Sequence, residues 1–210
     1  MNEILESIIE QESCFNFSDE WLQVKDYELK ILILTSILAE NNLAYRGTLS
    51  NICEWLGVKS YNKTNDKIKE AISSLQTQGY LFYKLDGRTY TLTISEKGMK
   101  QKQIVKIRKA WIAAFKAYKA DNNSIDWIKI LKVFVYLYSR QGSSLITRDI
   151  IASDLNISTS TVTKAVKAIC ECDLSGIKVT KETVKERYKT AKNVYYYNLG
   201  TDISFYIMFE

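Results

Sequence analysis

Residues Thr147 to Cys170, TRDIIASDLNISTSTVTKAVKAIC, constrain the fold more than any other stretch of the chain. Ile150, Ile151, Ala152 and Leu155 recur at helical spacing, and Val162, Ala165, Val166 and Ile169 do so again after a short polar break. Two amphipathic helices joined by a tight turn satisfy that pattern, which is the spacing of a helix-turn-helix. Ala152 is small where the helices would cross, Asn156 tolerates the left-handed backbone such a turn often needs, and Ile157 would close the turn onto the core. The second helix opens on Ser158, Thr159, Ser160 and Thr161 and continues outward with Thr163, Lys164 and Lys167. Such side chains cap backbone N–H groups or reach phosphates and base edges, so this face suits a major groove. The other reading of the same residues is an αα-hairpin inside a helical domain.

The same motif occurs earlier. Asp26 to Glu40 reads as an amphipathic helix with Leu29, Ile31, Leu32, Leu34, Ile37 and Leu38 apolar, stopped by Asn41 and Asn42. A second helix runs from Thr48 to Leu56 and ends at Gly57, a C-cap residue. Ile52-Cys53-x-x-Leu56-Gly57-Val58 then matches Ile151-Ala152-x-x-Leu155-Asn156-Ile157 position for position. A longer turn, KSYNKTND, precedes a third helix from Lys67 to Gln78 whose inward residues are Ile68, Ala71, Ile72 and Leu75. After Gly79 the period changes from helical to alternating, and Asp86-Gly87 between the runs 80–85 and 88–94 signals a β-hairpin.

Three helices followed by a hairpin resemble the winged-helix transcriptional regulators of the MarR and PadR type. Arg88, Tyr90, Leu92, Thr93 and, one residue late, Gly98 carry the likeness to their wing pattern. The resemblance implies a wing with Arg88 at its tip, where a guanidinium can enter a narrow minor groove. Asn62, Lys63, Thr64 and Asn65, in the turn before the third helix, and Lys67, at its start, are the matching candidates for DNA contact. The acids Asp66 and Glu70 lie among them and would repel phosphates, so this unit is the weaker reader and a candidate for dimerisation.

Elsewhere the pattern predicts a short acidic N-terminal helix bearing Ile4, Leu5, Ile8 and Ile9, then a linker through Cys14 to Ser18. Glu96 to Ala120 reads as one long basic helix, with Ile104, Ile107, Trp111, Phe115 and Tyr118 on one side and Lys102, Lys106, Lys109 and Lys116 opposite. Its lysines are either a polyanion-binding stripe or an ordinary solvated face. Trp127 to Ser139 is apolar nearly all round and should be a buried central helix. Two β-prone runs follow, 177–180 and 194–199, separated by a basic insert with Lys185, Arg187 and Lys189 that would form a second wing. The apolar tail from Ile203 to Phe209 fits a final strand or an intersubunit contact.

Several function classes are disfavoured. Histidine is absent, which removes Ser-His and Cys-His dyads, and neither GxxxxGK[ST] nor GxGxxG occurs. Cys14, Cys53, Cys170 and Cys172 form no CxxC pair, so no metal site, cofactor or disulfide framework is expected, and catalysis is not expected. No apolar run approaches the roughly 20 residues of a membrane span, and the acidic start is unlike a secretory signal, so the expected location is the cytoplasm, with no membrane partner.

The expected fold is α+β, mainly α with small β-hairpins: two tandem winged helix-turn-helix domains joined by a long basic helix. The boundaries are an arm at 1–19, domains at 20–98 and 124–210, and the joining helix at 99–123. The expected function is sequence-specific binding of double-stranded DNA by a homodimeric transcriptional regulator, with the helix from Ser158 in the major groove. A plasmid or phage replication initiator is the alternative, because that class also resembles tandem winged helices. A protein-docking module is the third reading.

Overall fold

The computed structural model describes residues 14–39, 44–99, 104–121, 125–139, 148–174, 178–185, 191–198 and 204–209. The fold is mixed α and β, with small sheets. Residues 14–107 form one compact unit, and the described residues from Arg108 onward belong to a second.

In the first unit, β1 (Cys14–Ser18) pairs with β5 (Ile104–Arg108) in a two-stranded sheet. The segment expected as a linker is therefore a strand: Phe15 and Phe17 are buried with Asn16 exposed between them, a period of two. A single 3₁₀ turn (Asp19–Gln23) leads into α1 (Asp26–Leu38), where the Glu28 carboxylate accepts the Lys25 N–H at 2.9 Å, fixing the helix start. Every residue from Glu28 to Thr35 is buried, so α1 is a central helix, not the two-faced one expected. Leu38, assigned to its apolar side, is exposed.

Next come β2 (Tyr45–Thr48), α2 (Leu49–Leu56), α3 (Asn62–Thr77), β3 (Leu81–Asp86), β4 (Thr89–Ile94) and a short α4 (Glu96–Met99). The three strands form an antiparallel sheet in the order β2-β4-β3, with Tyr45 opposite Leu92 and Leu81 opposite Ile94. The β3–β4 hairpin turns through Gly87 and Arg88, Asp86 being paired with Thr89, and Gly87 at φ 56° supplies the positive φ such a loop needs. Gly98 has a packing role: a Cβ there would lie 2.5 Å from the Tyr80 carbonyl oxygen and 2.7 Å from a methyl of Ile94. The strand β2, short and bearing Gly47, carries little pattern of its own and was not expected.

The long basic helix expected from Glu96 to Ala120 is divided. Ile104 to Arg108 is strand β5, in which Val105 and Ile107 are buried and Lys106 is exposed. Ile104, Ile107 and Trp111 fit a helical stripe, but β-branched residues at alternate positions fit a strand equally, and the pairing with β1 decides it. The described helical parts of that stretch are the short α4 and, beyond the strand, α5 (Lys109–Asp121). Its lysines do not form one open stripe, since Lys116 lies over the Trp127 ring at 5.2 Å.

In the second unit α5 is followed by α6 (Trp127–Ser139), α7 (Arg148–Asp154) and α8 (Thr159–Glu171). Asp126 caps α6 through its carboxylate, which accepts the Ile128 N–H at 3.2 Å. The helix is buried from Ile130 to Leu137 without a break. Trp111, Phe115, Phe134 and Tyr138 form its aromatic core, with Phe134 at 5.1 to 5.7 Å from the other three rings. An antiparallel sheet of β6 (Lys178–Lys185), β7 (Ala191–Asn198) and β8 (Ser204–Phe209) closes the unit in that order. The two ladders run from Lys178 opposite Asn198 to Lys185 opposite Ala191, and from Asn193 opposite Phe209 to Asn198 opposite Ser204. These strands extend beyond the β-prone runs into the basic insert expected as a second wing, β6 reaching Lys185 and β7 starting at Ala191.

The sequence repeat corresponds to a backbone device that also ends α3, where Gly79, at φ 78°, donates its N–H to Gln76 O and Tyr80 N–H donates to Leu75 O, both at 2.9 Å. At the end of α2, Val58 N–H donates to Cys53 O and Gly57 N–H to Glu54 O, both at 3.0 Å. At the end of α7, Ile157 N–H donates to Ala152 O at 2.9 Å and Asn156 N–H to Ser153 O at 3.2 Å. Each pair of bonds is a Schellman motif, and each needs a left-handed residue, here Gly57 at φ 67° and Asn156 at φ 51°. A Cβ on Gly57 would meet nothing within 4 Å, so its replacement tests backbone conformation alone. Gly57→Ala is expected to cost about 1 to 2 kcal/mol in urea unfolding, and Asn156→Gly to change stability by no more than a few tenths. Equal effects for both would show that the turn does not depend on left-handed geometry.

Candidate nucleic-acid interface

The outer face of α8 is built by its inner one. Val162, Ala165, Val166, Ala168 and Ile169 are buried, which turns Ser160, Thr163, Lys164 and Lys167 outward and leaves Thr159 and Thr161 half-buried at the helix start. Ser158 is the N-cap: its hydroxyl oxygen accepts the Thr161 N–H at 3.1 Å and lies 2.8 Å from the Thr161 hydroxyl. Thr163 donates its hydroxyl hydrogen to the Thr159 carbonyl at 3.0 Å. Of the residues expected on this helix, Ser160, Thr163, Lys164 and Lys167 share its exposed side, while Ser158 caps it and Thr159 and Thr161 flank the buried stripe.

Neighbouring elements hold the helix in place. Tyr136 on α6 donates to the Asp154 carboxylate at 2.5 Å, fixing α7. The Trp111 indole N–H on α5 donates to Leu174 O at 3.0 Å, fixing the chain beyond α8. Arg148, at the start of α7, was not anticipated; one of its terminal nitrogens reaches the Thr163 hydroxyl at 3.5 Å, placing a guanidinium beside the outer face. Fifteen residues separate the pair, and only the fold around the Asn156 turn brings them together. The one sequence signal was a lone cation in an otherwise apolar and acidic first helix.

At the far end of α8, Glu171 ends the acid-free run. Its carboxylate lies 3.7 Å from the Lys167 ammonium and accepts the Tyr118 hydroxyl at 2.9 Å. Burial, and then the Glu171 charge, push the Cys172 thiol up to about 11. Burial, the bond to Glu171 and that same charge push Tyr118 up to about 12. Both folded values lie above the ordinary 9.0 and 10.0. The stability these neutral groups contribute is therefore complete below about pH 9 and lost as pH rises toward 12. Glu171→Gln should flatten that alkaline loss, read as urea midpoints from pH 8 to 11. An unchanged pH profile would remove Glu171 as a cause.

In the first unit the outcome is mixed. The third helix begins at Asn62, five residues before the expected Lys67. Asn62, Lys63 and Lys67 are exposed on it, Lys67 lying 5.7 Å from the Tyr27 ring. Thr64 is buried at 4% exposure and faces the core with Ile68, Ala71, Ile72 and Leu75, so its side chain does not belong to an outward surface. Asn65 is half-buried and structural, its side-chain oxygen accepting from Ser60 at 3.2 Å and lying 3.5 Å from the Cys53 sulfur. Arg88 is exposed in the hairpin turn. The hairpin is anchored to α3 by Gln76, whose side-chain oxygen Oε1 accepts the Tyr83 N–H at 3.2 Å and so occupies the outer edge of β3. Lys185 ends β6, while Arg187 and Lys189 lie outside the described residues.

None of the four cysteines is in a disulfide, and among the described residues no cluster of histidine, cysteine or acidic side chains is placed to hold a metal ion. Among the described residues no helix is long and apolar enough to cross a membrane. No family model, curated protein or solved structure matches the chain.

Proposed function

We propose that this protein binds double-stranded DNA in a sequence-dependent way, as a homodimeric cytoplasmic transcriptional regulator built from two winged helix-turn-helix units. The observation that carries this reading is the outer face of α8: hydroxyls and lysines from Ser158 to Lys167 with no acid before Glu171, on a helix set by a tight turn and followed by an antiparallel hairpin. Lys164 and Lys167 supply affinity through counterion release, and the hydroxyl-bearing first turns supply contacts to base edges. In the first unit α3 and the turn bearing Arg88 play the corresponding parts, with Asp66 and Glu70 weakening that helix as a reader.

A second reading, a plasmid or phage replication initiator, is favoured by the position-for-position match of residues 52–58 with 151–157, two like helix-turn elements in tandem within a single chain. Selection of random-sequence duplexes by the purified protein, at two salt concentrations, tests both. An enriched inverted repeat supports the regulator, and enriched direct repeats support the initiator. Binding without enrichment that collapses at the higher salt defeats both and leaves a basic surface suited to docking an acidic protein.

A further inference from the structure

On the reading that α8 enters a major groove, the geometry points to Thr163 as a reader of thymine through its methyl group. A threonine hydroxyl has one hydrogen and two acceptor positions. At Thr163 the hydrogen is given to the Thr159 carbonyl within the helix, at 3.0 Å, and the oxygen faces the Arg148 guanidinium at 3.5 Å. The hydroxyl hydrogen and one of the acceptor positions are thereby turned onto the protein. The hydroxyl has no hydrogen to offer the acceptors of the groove, which are guanine N7 and O6, adenine N7 and thymine O4.

Thr163 is an exposed side chain in the middle of the acid-free face, and with its hydroxyl hydrogen engaged the apolar group it offers is its Cγ2 methyl. The major-groove edges of the four base pairs carry one apolar group, the C5-methyl of thymine, and that is the complement of such a methyl. Its neighbours differ. Ser160 is exposed and its hydroxyl makes no hydrogen bond among the described residues, so it can serve as donor or acceptor. Lys164 carries only donors and suits guanine or phosphate. Arg148 acts here as a positioning residue: by facing the Thr163 oxygen it favours the rotamer that keeps the hydroxyl engaged.

The test uses the duplex that the full-length protein selects, with each thymine replaced in turn by deoxyuridine. That exchange deletes the C5-methyl and leaves base pairing unchanged. At one position in each half-site the wild-type protein should bind the uracil duplex about fourfold more weakly, the effect of one buried methyl-sized group. Thr163→Ser, which keeps the hydroxyl and deletes the methyl, should abolish the discrimination at that position and at no other. Thr163→Val, which keeps a methyl and deletes the hydroxyl, should retain it. Equal binding of thymine and uracil at every position, or discrimination that survives Thr163→Ser, would overturn this assignment and leave sequence-specific binding standing. Failure to select any sequence would overturn the DNA-binding reading itself, and the assignment with it.

Discussion

Replacing Lys164, Lys167 and Arg88 together with alanine should weaken binding to a selected duplex by about 10²- to 10³-fold at 0.1 M salt. Each lysine or arginine that neutralises a phosphate steepens the dependence of log affinity on log salt by about 0.9, so the triple variant should show a slope shallower by about 2.7. All three side chains are exposed, and the Lys167–Glu171 pair is an open surface contact with side chains 71% and 49% exposed. Such pairs contribute little to folding, so urea unfolding should change by no more than about 0.5 kcal/mol. The single variants separate the roles. A lysine that contacts phosphate lowers affinity on all sequences alike, and one that reads guanine also relaxes preference at a single position. Undiminished binding by the triple variant would remove both α8 and the first hairpin from the interface.

Much of this architecture was legible in the sequence because local chemistry and tertiary packing agree there. Gly57 and Asn156 mark their turns by tolerance of positive φ, and Ile151, Ala152, Leu155, Val162, Ala165, Val166 and Ile169 are buried as their spacing requires, whereas Ile150, expected on the same apolar face, is 46% exposed. Three kinds of feature were not legible. The strand β5 was read as helix because Ile104, Ile107 and Trp111 satisfy both periods, and the partner strand that decides between them lies some ninety residues away. Thr64 was placed on the outer surface because α3 was started too late. From Asn62, the spacing to Ile68, Ala71 and Leu75 puts it on the buried stripe. Arg148 escaped notice because its relation to Thr163 exists only once the turn at Asn156 has folded α7 against α8. Periodicity identifies buried faces well, but pairings and cross-helix contacts require the fold.

Phe134→Ala should be the most damaging single substitution in the second unit, at about 3 to 5 kcal/mol. The ring is 1% exposed and meets Trp111 edge-on at 5.1 Å, Phe115 edge-on at 5.5 Å and Tyr138 in a stacked arrangement at 5.7 Å. Its removal forfeits the burial of the ring, leaves a cavity between α5 and α6, and ends three ring contacts, each worth about 0.5 to 1.5 kcal/mol beyond burial. Domain stabilities are typically about 5 to 15 kcal/mol, so the loss takes a large share of the total. Phe134→Leu should cost less, because it refills most of the volume without the ring geometry. Urea unfolding followed by tryptophan fluorescence reads the effect, since Trp111 lies against the substituted position. A cost below about 1 kcal/mol would show that this cluster is not the core of the unit. The variant also separates two ways of losing DNA binding. Phe134→Ala should lose affinity in proportion to the fraction unfolded and regain it when the unit is restabilised by an osmolyte. Lys164→Ala should stay folded throughout and regain nothing, because what it lacks is the contact and not the helix that presents it.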